Sequence, residues 1–267
     1  MLYICIPTHD EAPTIGVLLW RIRKMFQDYA REYEVLVYDD ASADGTREVL
    51  EPYAKALPLT VLGTTQRVGY ARAVEVLLRE AANRTKYPRR DAVIVMQGDF
   101  TDRPEDIPEL VKRFEGGADV VVGERRLPDD APDEIRKLHR YAAWLPKLWP
   151  LKHAVAVPGV TDPWSSMRLI RIATVRDALR ALDRGAAPAD STWQANLDLL
   201  VAIAPHARRM ESVPVTLRYD LRQRETRRAA WPEAWGLAKS AWAARRRRIE
   251  PVRPPAPAAR GQQPAAP

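Results

Sequence analysis

Apolar residues come in short, β-branched-rich runs along the first half of the chain, and each run closes on a polar turn. Residues 2–6 end at Pro7-Thr8-His9-Asp10-Glu11, residues 35–38 at Asp39-Asp40-Ala41-Ser42-Ala43-Asp44-Gly45-Thr46, and residues 92–96 at Gln97-Gly98-Asp99-Phe100-Thr101-Asp102. Runs of this length and composition predict buried strands. Between them lie amphipathic stretches of helical period. In residues 14–30, for example, Ile15, Leu18, Leu19, Ile22, Met25 and Phe26 share one face. Further strands are expected at 59–62 and at 120–122, the latter ending at Gly123. Helices are expected from Thr46, with its side chain as N-cap, from Tyr70 to Ala82 and from Pro104 to Phe114. Repeated βα units predict a doubly wound, mostly parallel sheet. In such a sheet the carboxyl ends of the strands share one rim, where ligands bind. Three acidic loops on that rim point to a site for a metal ion and a phosphorylated ligand.

The second half reads differently. Residues 127–158 are rich in Pro, Trp, Lys and Arg and predict a helix-containing insertion over the site. A turn at Asp162-Pro163-Trp164-Ser165-Ser166 precedes a strand, residues 191–203 read as helix, and 208–217 as strand. Residues 218–228 form a strongly basic loop and 231–248 another helix. Beyond Pro251 the Pro/Ala-rich composition supports no core and predicts a disordered tail. The expected divisions are 1–126, the half built of βα units; 127–228, a second half; 229–250, an amphipathic Trp/Arg helix; and 251–267, the tail.

Composition narrows the partners. The chain has 267 residues, a net charge of +7 and one cysteine, Cys5, inside the first strand. The charge favours anionic partners. No aromatic–basic RNA motif accompanies it, so nucleic acid is not expected. A lone thiol, no apolar run long enough to span a bilayer, and a strand beginning at Leu2 give the expectation of a cytoplasmic protein.

The joint order of these motifs resembles the family 2 glycosyltransferases of the GT-A fold, and within them the polyprenyl- or dolichyl-phosphate sugar synthases. The residues that carry the resemblance are those of the three acidic loops, with Arg67, Gly69, Pro104-Glu105, Gly123, Arg125, Asp162, Ser165, Ser166, Arg168, Glu211, Val213-Pro214-Val215 and the loop from Arg222 to Arg227. The resemblance implies a three-layer α/β/α sandwich. It also implies a metal-dependent inverting enzyme that moves a hexose from GDP- or UDP-hexose to a polyprenyl phosphate. Pro7, His9, Glu11, Asp39, Asp40, Gly69, Gln97 and Gly98 would bind the nucleotide. Asp99, with Gln97 and Thr101, would hold Mg²⁺ or Mn²⁺. The family pattern at this point is Asp-x-Asp, and Gln97 replaces its first member. One or two carboxylates suffice for such an ion when phosphates and waters complete its shell.

Arg125, Arg168, Arg222 and Arg227, joined by Arg126, Arg218 and Arg224, would offset repulsion between acceptor and donor phosphates, since the guanidinium fork suits phosphate oxygens. Asn196 stands where the family offers a carboxylate base, and an amide cannot take a proton. A phosphate nucleophile is already ionised and needs no base. Asp162 is the alternative base if the acceptor is a hydroxyl. Trp231, Trp235, Ala238 and Trp242, followed by residues 245–248, have two readings: contact with an anionic membrane, or packing on the catalytic domain. Trp144, Leu145, Leu148 and Trp149 would form a second apolar contact near the acceptor entrance. Two other readings stay open: a soluble or saccharide acceptor, and a non-catalytic nucleotide-sugar-binding protein.

Overall fold

In the computed structural model, residues 1–129, 131, 133–144, 157–182 and 192–218 are described. The first half runs β1 (Leu2–Thr8), α1 (Ala12–Asp28), β2 (Tyr33–Asp40), α2 (Thr46–Ala56), β3 (Leu59–Thr64), α3 (Tyr70–Arg84) and β4 (Ala92–Val95). A 3₁₀ turn (Pro104–Asp106) leads into α4 (Ile107–Glu115), then β5 (Val120–Arg126) and α5 (Asp133–Trp144). The rest comprises β6 (Arg168–Arg171), α6 (Ile172–Leu182), α7 (Thr192–Ile203) and β7 (Met210–Thr216).

The strands form one seven-stranded sheet in the order β3-β2-β1-β4-β6-β5-β7, parallel except where β6 runs against β4 and β5. Successive residues of a strand face opposite layers, and β1 shows the consequence. Leu2, Ile4 and Ile6 pack with Ile15, Leu18, Leu19 and Ile22 of α1 and Leu110, Val111 and Phe114 of α4. Tyr3 and Cys5 pack with Val74, Leu77 and Leu78 of α3 and Val175 and Leu179 of α6. Burial on both faces explains the unbroken apolar runs in the sequence. The result is the expected three-layer α/β/α sandwich.

Two features of the topology place the site. β1 has β2 on one side and β4 on the other, so the strand order reverses between β1 and β4, and a crevice opens there at the carboxyl ends. The reversed β6 does the second job. Arg168 pairs with Val95 and Val122, so the turn that precedes β6 lies on the rim where β4 and β5 end. β7 is parallel to β5 and delivers Leu217 and Arg218 there as well: Leu217 N–H donates to Arg126 O at 3.1 Å and Arg218 N–H to Thr101 O at 3.0 Å.

Local expectations need two corrections. β5 does not stop at Gly123 but continues to Arg126, paired with β7 throughout. Gly123 is required there by close approach: a Cβ would stand 2.8 Å from Val215. Thr46 is not the N-cap of α2 but its first residue; Gly45 caps, in the left-handed region, and the Thr46 hydroxyl instead accepts the Glu11 N–H at 2.9 Å.

Candidate functional site

The three acidic loops meet on the rim, and each contains one non-glycine residue at positive φ: Asp10 (51°), Ala41 (56°) and Phe100 (62°). These are the only such residues among those described. The left-handed conformation costs an L-residue roughly 1–2 kcal/mol, and strain of this kind gathers where loop shape serves a ligand. The first two loops are laced together. Asp10 N–H donates to the Ser42 hydroxyl at 2.8 Å, Ala43 N–H to Asp10 Oδ1 at 2.8 Å, and Ala12 N–H to Asp44 Oδ2 at 3.0 Å. Burial alone would raise the Asp44 pKa, but hydrogen bonds from Thr46 and Ala12 outweigh it and hold the carboxyl below its usual range.

Of the expected nucleotide residues, Pro7 and Asp39 are buried at the ends of β1 and β2, and Asp39 Oδ1 accepts the Ser42 N–H at 3.1 Å. His9 Nδ1 lies 2.7 Å from Asp40 O, and its Nε2 lies 3.4 Å from Asp10 Oδ2. Because Asp40 O only accepts, His9 Nδ1 carries the proton. Glu11 precedes α1, and its Oε2 accepts from the Thr14 hydroxyl at 3.2 Å. The Asp40 carboxylate accepts from Val68 N–H at 2.6 Å and Gly69 N–H at 2.9 Å, with Arg67 at 3.8 Å, so it shapes the loop before α3. Gly69, at φ 84°, caps that helix.

The third loop carries the metal candidates. Gly98 brings it against β1: a Cβ there would stand 3.1 Å from Thr8 Oγ1 and 3.3 Å from Pro7 O. Asp99 is half-buried and accepts the Thr101 N–H at 2.9 Å. Thr101 Oγ1 is buried with no hydrogen-bond partner among the described residues. Asp102 is buried; it accepts from Gln97 N–H at 2.9 Å and from the Ser166 hydroxyl at 3.1 Å. Burial pushes its pKa up to about 7; the Gln97 bond counters this and the Asp99 charge adds to it. No group of three or more His, Cys, Asp or Glu gathers among the described residues. A half-exposed carboxylate, an amide and an orphaned hydroxyl nevertheless fit a hard cation whose shell is completed by phosphate and water.

At the end of β5, Arg125 donates Nε to Asp162 Oδ2 at 2.6 Å and Nη2 to Asp162 Oδ1 at 2.9 Å, and its guanidinium lies 4.1 Å over the Trp193 ring. Burial would raise the Asp162 pKa, but the Arg125 charge and hydrogen bonds hold it below the usual range. Asp162 is an ion-pair partner of Arg125. Arg168 is fully buried, and its guanidinium donates to main-chain oxygens of Ser165 (3.1 Å), Asn196 (2.7 Å) and Pro163 (3.4 Å). Burial lowers its pKa to about 10. It braces the turn before β6.

Asn196 belongs to the same brace. Its Oδ1 accepts from the Tyr70 hydroxyl at 3.0 Å and its Nδ2 donates to Trp164 O at 3.3 Å. Arg218 lies with its guanidinium 5.2 Å over Phe100, beside the Asp99 loop. Arg222, Arg227, Arg224, the Trp231–Trp242 stripe, Leu145, Leu148 and Trp149 lie outside the described residues. Trp193 and His139 of this cluster, and the inward turn of Asp102, escaped the sequence reading: a tryptophan at a helix start and a histidine within a charged helix carry no spacing signal.

A family model, "Glycosyl transferase family 2", matches residues 3–179, the stretch that contains every loop described above except the last turn at β7. This chain is a family 2 glycosyltransferase. The transferase is 29% identical over 212 residues to the undecaprenyl-phosphate mannosyltransferase of Micrococcus luteus, covering 79% of this chain and 81% of that one. It is 31% identical over 122 residues to the dolichol-phosphate mannosyltransferase of Pyrococcus furiosus, covering 46% of this chain but 32% of that protein. Among solved structures, glucosyl-3-phosphoglycerate synthase from Mycobacterium tuberculosis, in complex with Mn²⁺, UDP and glucosyl-3-phosphoglycerate, superposes with a TM-score of 0.62. That match is 17% identical and covers 93% of this chain and 79% of that one. It establishes the GT-A fold for the transferase. No helix among the described residues is long and apolar enough to cross a membrane.

Proposed function

We propose that this transferase moves a hexose from a nucleoside diphosphate sugar to a polyprenyl phosphate, with inversion and with a divalent cation. One observation carries the choice of acceptor. The one residue of the second half that was a candidate to deprotonate a hydroxyl, Asp162, is committed to Arg125, and the position where the family offers a carboxylate base is an amide, Asn196, held by Tyr70 and Trp164. A phosphate oxygen attacks the anomeric carbon without giving up a proton, the bond from that carbon to the donor diphosphate breaks, and the nucleoside diphosphate leaves. The names of both mannosyltransferase relatives, which specify undecaprenyl phosphate and dolichol phosphate, support the same class.

Residues 1–126 then hold the donor, with His9 and Glu11 lining the nucleotide end. Asp99, Gln97 and the Thr101 hydroxyl are the groups that would hold Mg²⁺ or Mn²⁺. When bound, such an ion supplies positive charge for the diphosphate leaving group. Residues 127–228 form the acceptor half; Arg125, at the end of the first half, meets the acceptor phosphate, and Arg222 and Arg227 add positive charge. The Trp231–Trp242 stripe is the proposed contact with an anionic membrane, on the cytoplasmic side.

The experiment is transfer from radiolabelled GDP-mannose and UDP-glucose to detergent-dispersed undecaprenyl phosphate, with the product's anomeric configuration read by NMR. An acid-labile lipid-linked sugar of inverted configuration is the expected product. A soluble acceptor is the second reading, favoured by the fold neighbour that holds glucosyl-3-phosphoglycerate. Transfer to 3-phosphoglycerate with none to the lipid would select it.

A further inference from the structure

His139 lies on α5, and its Nε2 is buried with no hydrogen-bond partner among the described residues. A buried polar nitrogen left unpaired costs about 1–3 kcal/mol. An imidazole kept in that state beside the reaction cleft calls for a partner that arrives with a ligand. Its ring stands edge-on to Trp193, at 5.2 Å between centroids and 83° between planes. The same indole carries the Arg125 guanidinium on its face at 4.1 Å. Arg125 has given Nε and Nη2 to Asp162, so the Nη1 end of the fork is the part without a partner among the described residues. One tryptophan thus contacts both side chains, each with a nitrogen that has no partner among the described residues.

Charge indicates what they would bind. Burial, aided by the Arg125 cation, pushes the His139 pKa down to about 3, so the ring is neutral at working pH. It adds a hydrogen bond without adding a charge, and the Arg125 charge is already partly offset by Asp162. The pair suits an anion with several acceptor oxygens in a tetrahedral group better than a planar carboxylate, which the Asp162 side of the fork already supplies.

We propose that His139 is a phosphate-binding residue: its Nε2–H donates to an oxygen of the acceptor's phosphate monoester while the free end of the Arg125 fork takes another, with Trp193 holding both donors in place. The chemistry is that of a phosphate monoester, whether on a polyprenyl chain or on a small soluble molecule. The inference rests on the phosphate-acceptor reading, and the test separates the two.

The chain has four histidines, so their imidazole nitrogens are countable in ¹⁵N-edited spectra. Titration of the wild-type protein with farnesyl phosphate and, separately, with glycerol 3-phosphate is expected to shift the His139 Nε2 resonance, while farnesol leaves it unmoved. The arm that responds names the source of the phosphate. By calorimetry, His139→Phe is expected to weaken farnesyl phosphate binding about tenfold, His139→Gln to recover most of it through its amide N–H, and nucleoside diphosphate binding with Mn²⁺ to stay unchanged in both. A saturating phosphate monoester that leaves His139 Nε2 unshifted overturns the proposal, and this arm needs no variant to fold. Wild-type phosphate affinity in His139→Phe overturns it too, and if such a variant still transfers sugar to a phosphate acceptor the functional reading stands alone. A shift of His139 by glycerol 3-phosphate, in a protein that glycosylates only hydroxyl acceptors, keeps the site and removes the functional reading.

Discussion

Asp162 grips the Nε–Nη2 edge of Arg125 at 2.6 and 2.9 Å, on the turn that the antiparallel strand β6 brings to the rim. The two residues lie 37 apart in sequence and act as a unit. Removing one partner of a largely buried ion pair costs about 3–5 kcal/mol, because the other charge stays behind unpaired. Arg125→Ala, Asp162→Ala and the double variant should therefore be strongly non-additive, in melting temperature and in turnover alike. If Asp162 acted as an independent base, the double variant would show the product of the two single losses in turnover.

His139 predicts a pH dependence of stability. Its native pKa, about 3, lies below the ordinary 6.5, so the native ring stays neutral while the unfolded one protonates as pH falls through 6.5. Its contribution is intact above pH 6.5 and is lost progressively toward pH 3, by at most about 1.4 kcal/mol per pH unit. Asp102, raised to about 7, acts in the opposite sense over much of that span: its contribution is full at low pH and fades as pH rises toward 7. The difference curve isolates the histidine. Chemical denaturation between pH 7.5 and 4.5 should show the wild type losing stability relative to His139→Phe as pH falls.

Strain at Ala41 gives a stability prediction that leaves chemistry aside. At φ 56° alanine pays for the left-handed conformation, whereas glycine does not. Ala41→Gly should stabilise by about 0.5–1 kcal/mol, after the greater entropy glycine loses on folding. A melting temperature unchanged or lowered would show that the loop is held by something other than this backbone geometry.

Asn196 separates a brace from a lost base. An aspartate there keeps the Tyr70 contact but turns an oxygen toward Trp164 O, where an N–H now donates. Asn196→Asp should lower stability by about 1–3 kcal/mol and confer no transfer to hydroxyl acceptors. Gain of transfer to farnesol would return Asn196 to the role of a degraded base.

The alternation of βα units, the three acidic loops and the continuous apolar strands were legible because burial on both sheet faces leaves a plain mark on the sequence. So was the turn at residues 162–166. What the sequence did not reveal is where a polar side chain spends its hydrogen bonds. Arg168 reads as a phosphate ligand, yet main-chain oxygens of a tight turn absorb its donors. Asp40 reads as a base contact, yet two N–H groups of the loop before α3 claim its carboxylate. The Asp40 contacts join loops far apart in sequence, and the Arg168 contacts depend on the shape of its own turn and on α7; neither periodicity nor motif spacing encodes them. His139 and Trp193 are likewise brought together with Arg125 by contacts between separate elements, α5, α7 and β5.

The most direct test is the rate of labelled hexose transfer to farnesyl phosphate and to farnesol, side by side, with Mn²⁺ and with the metal chelated. The account predicts transfer to the phosphate alone, abolished by chelation and by Asp99→Ala in a protein that melts as the wild type does. Transfer to farnesol, or undiminished transfer by Asp99→Ala, would contradict it.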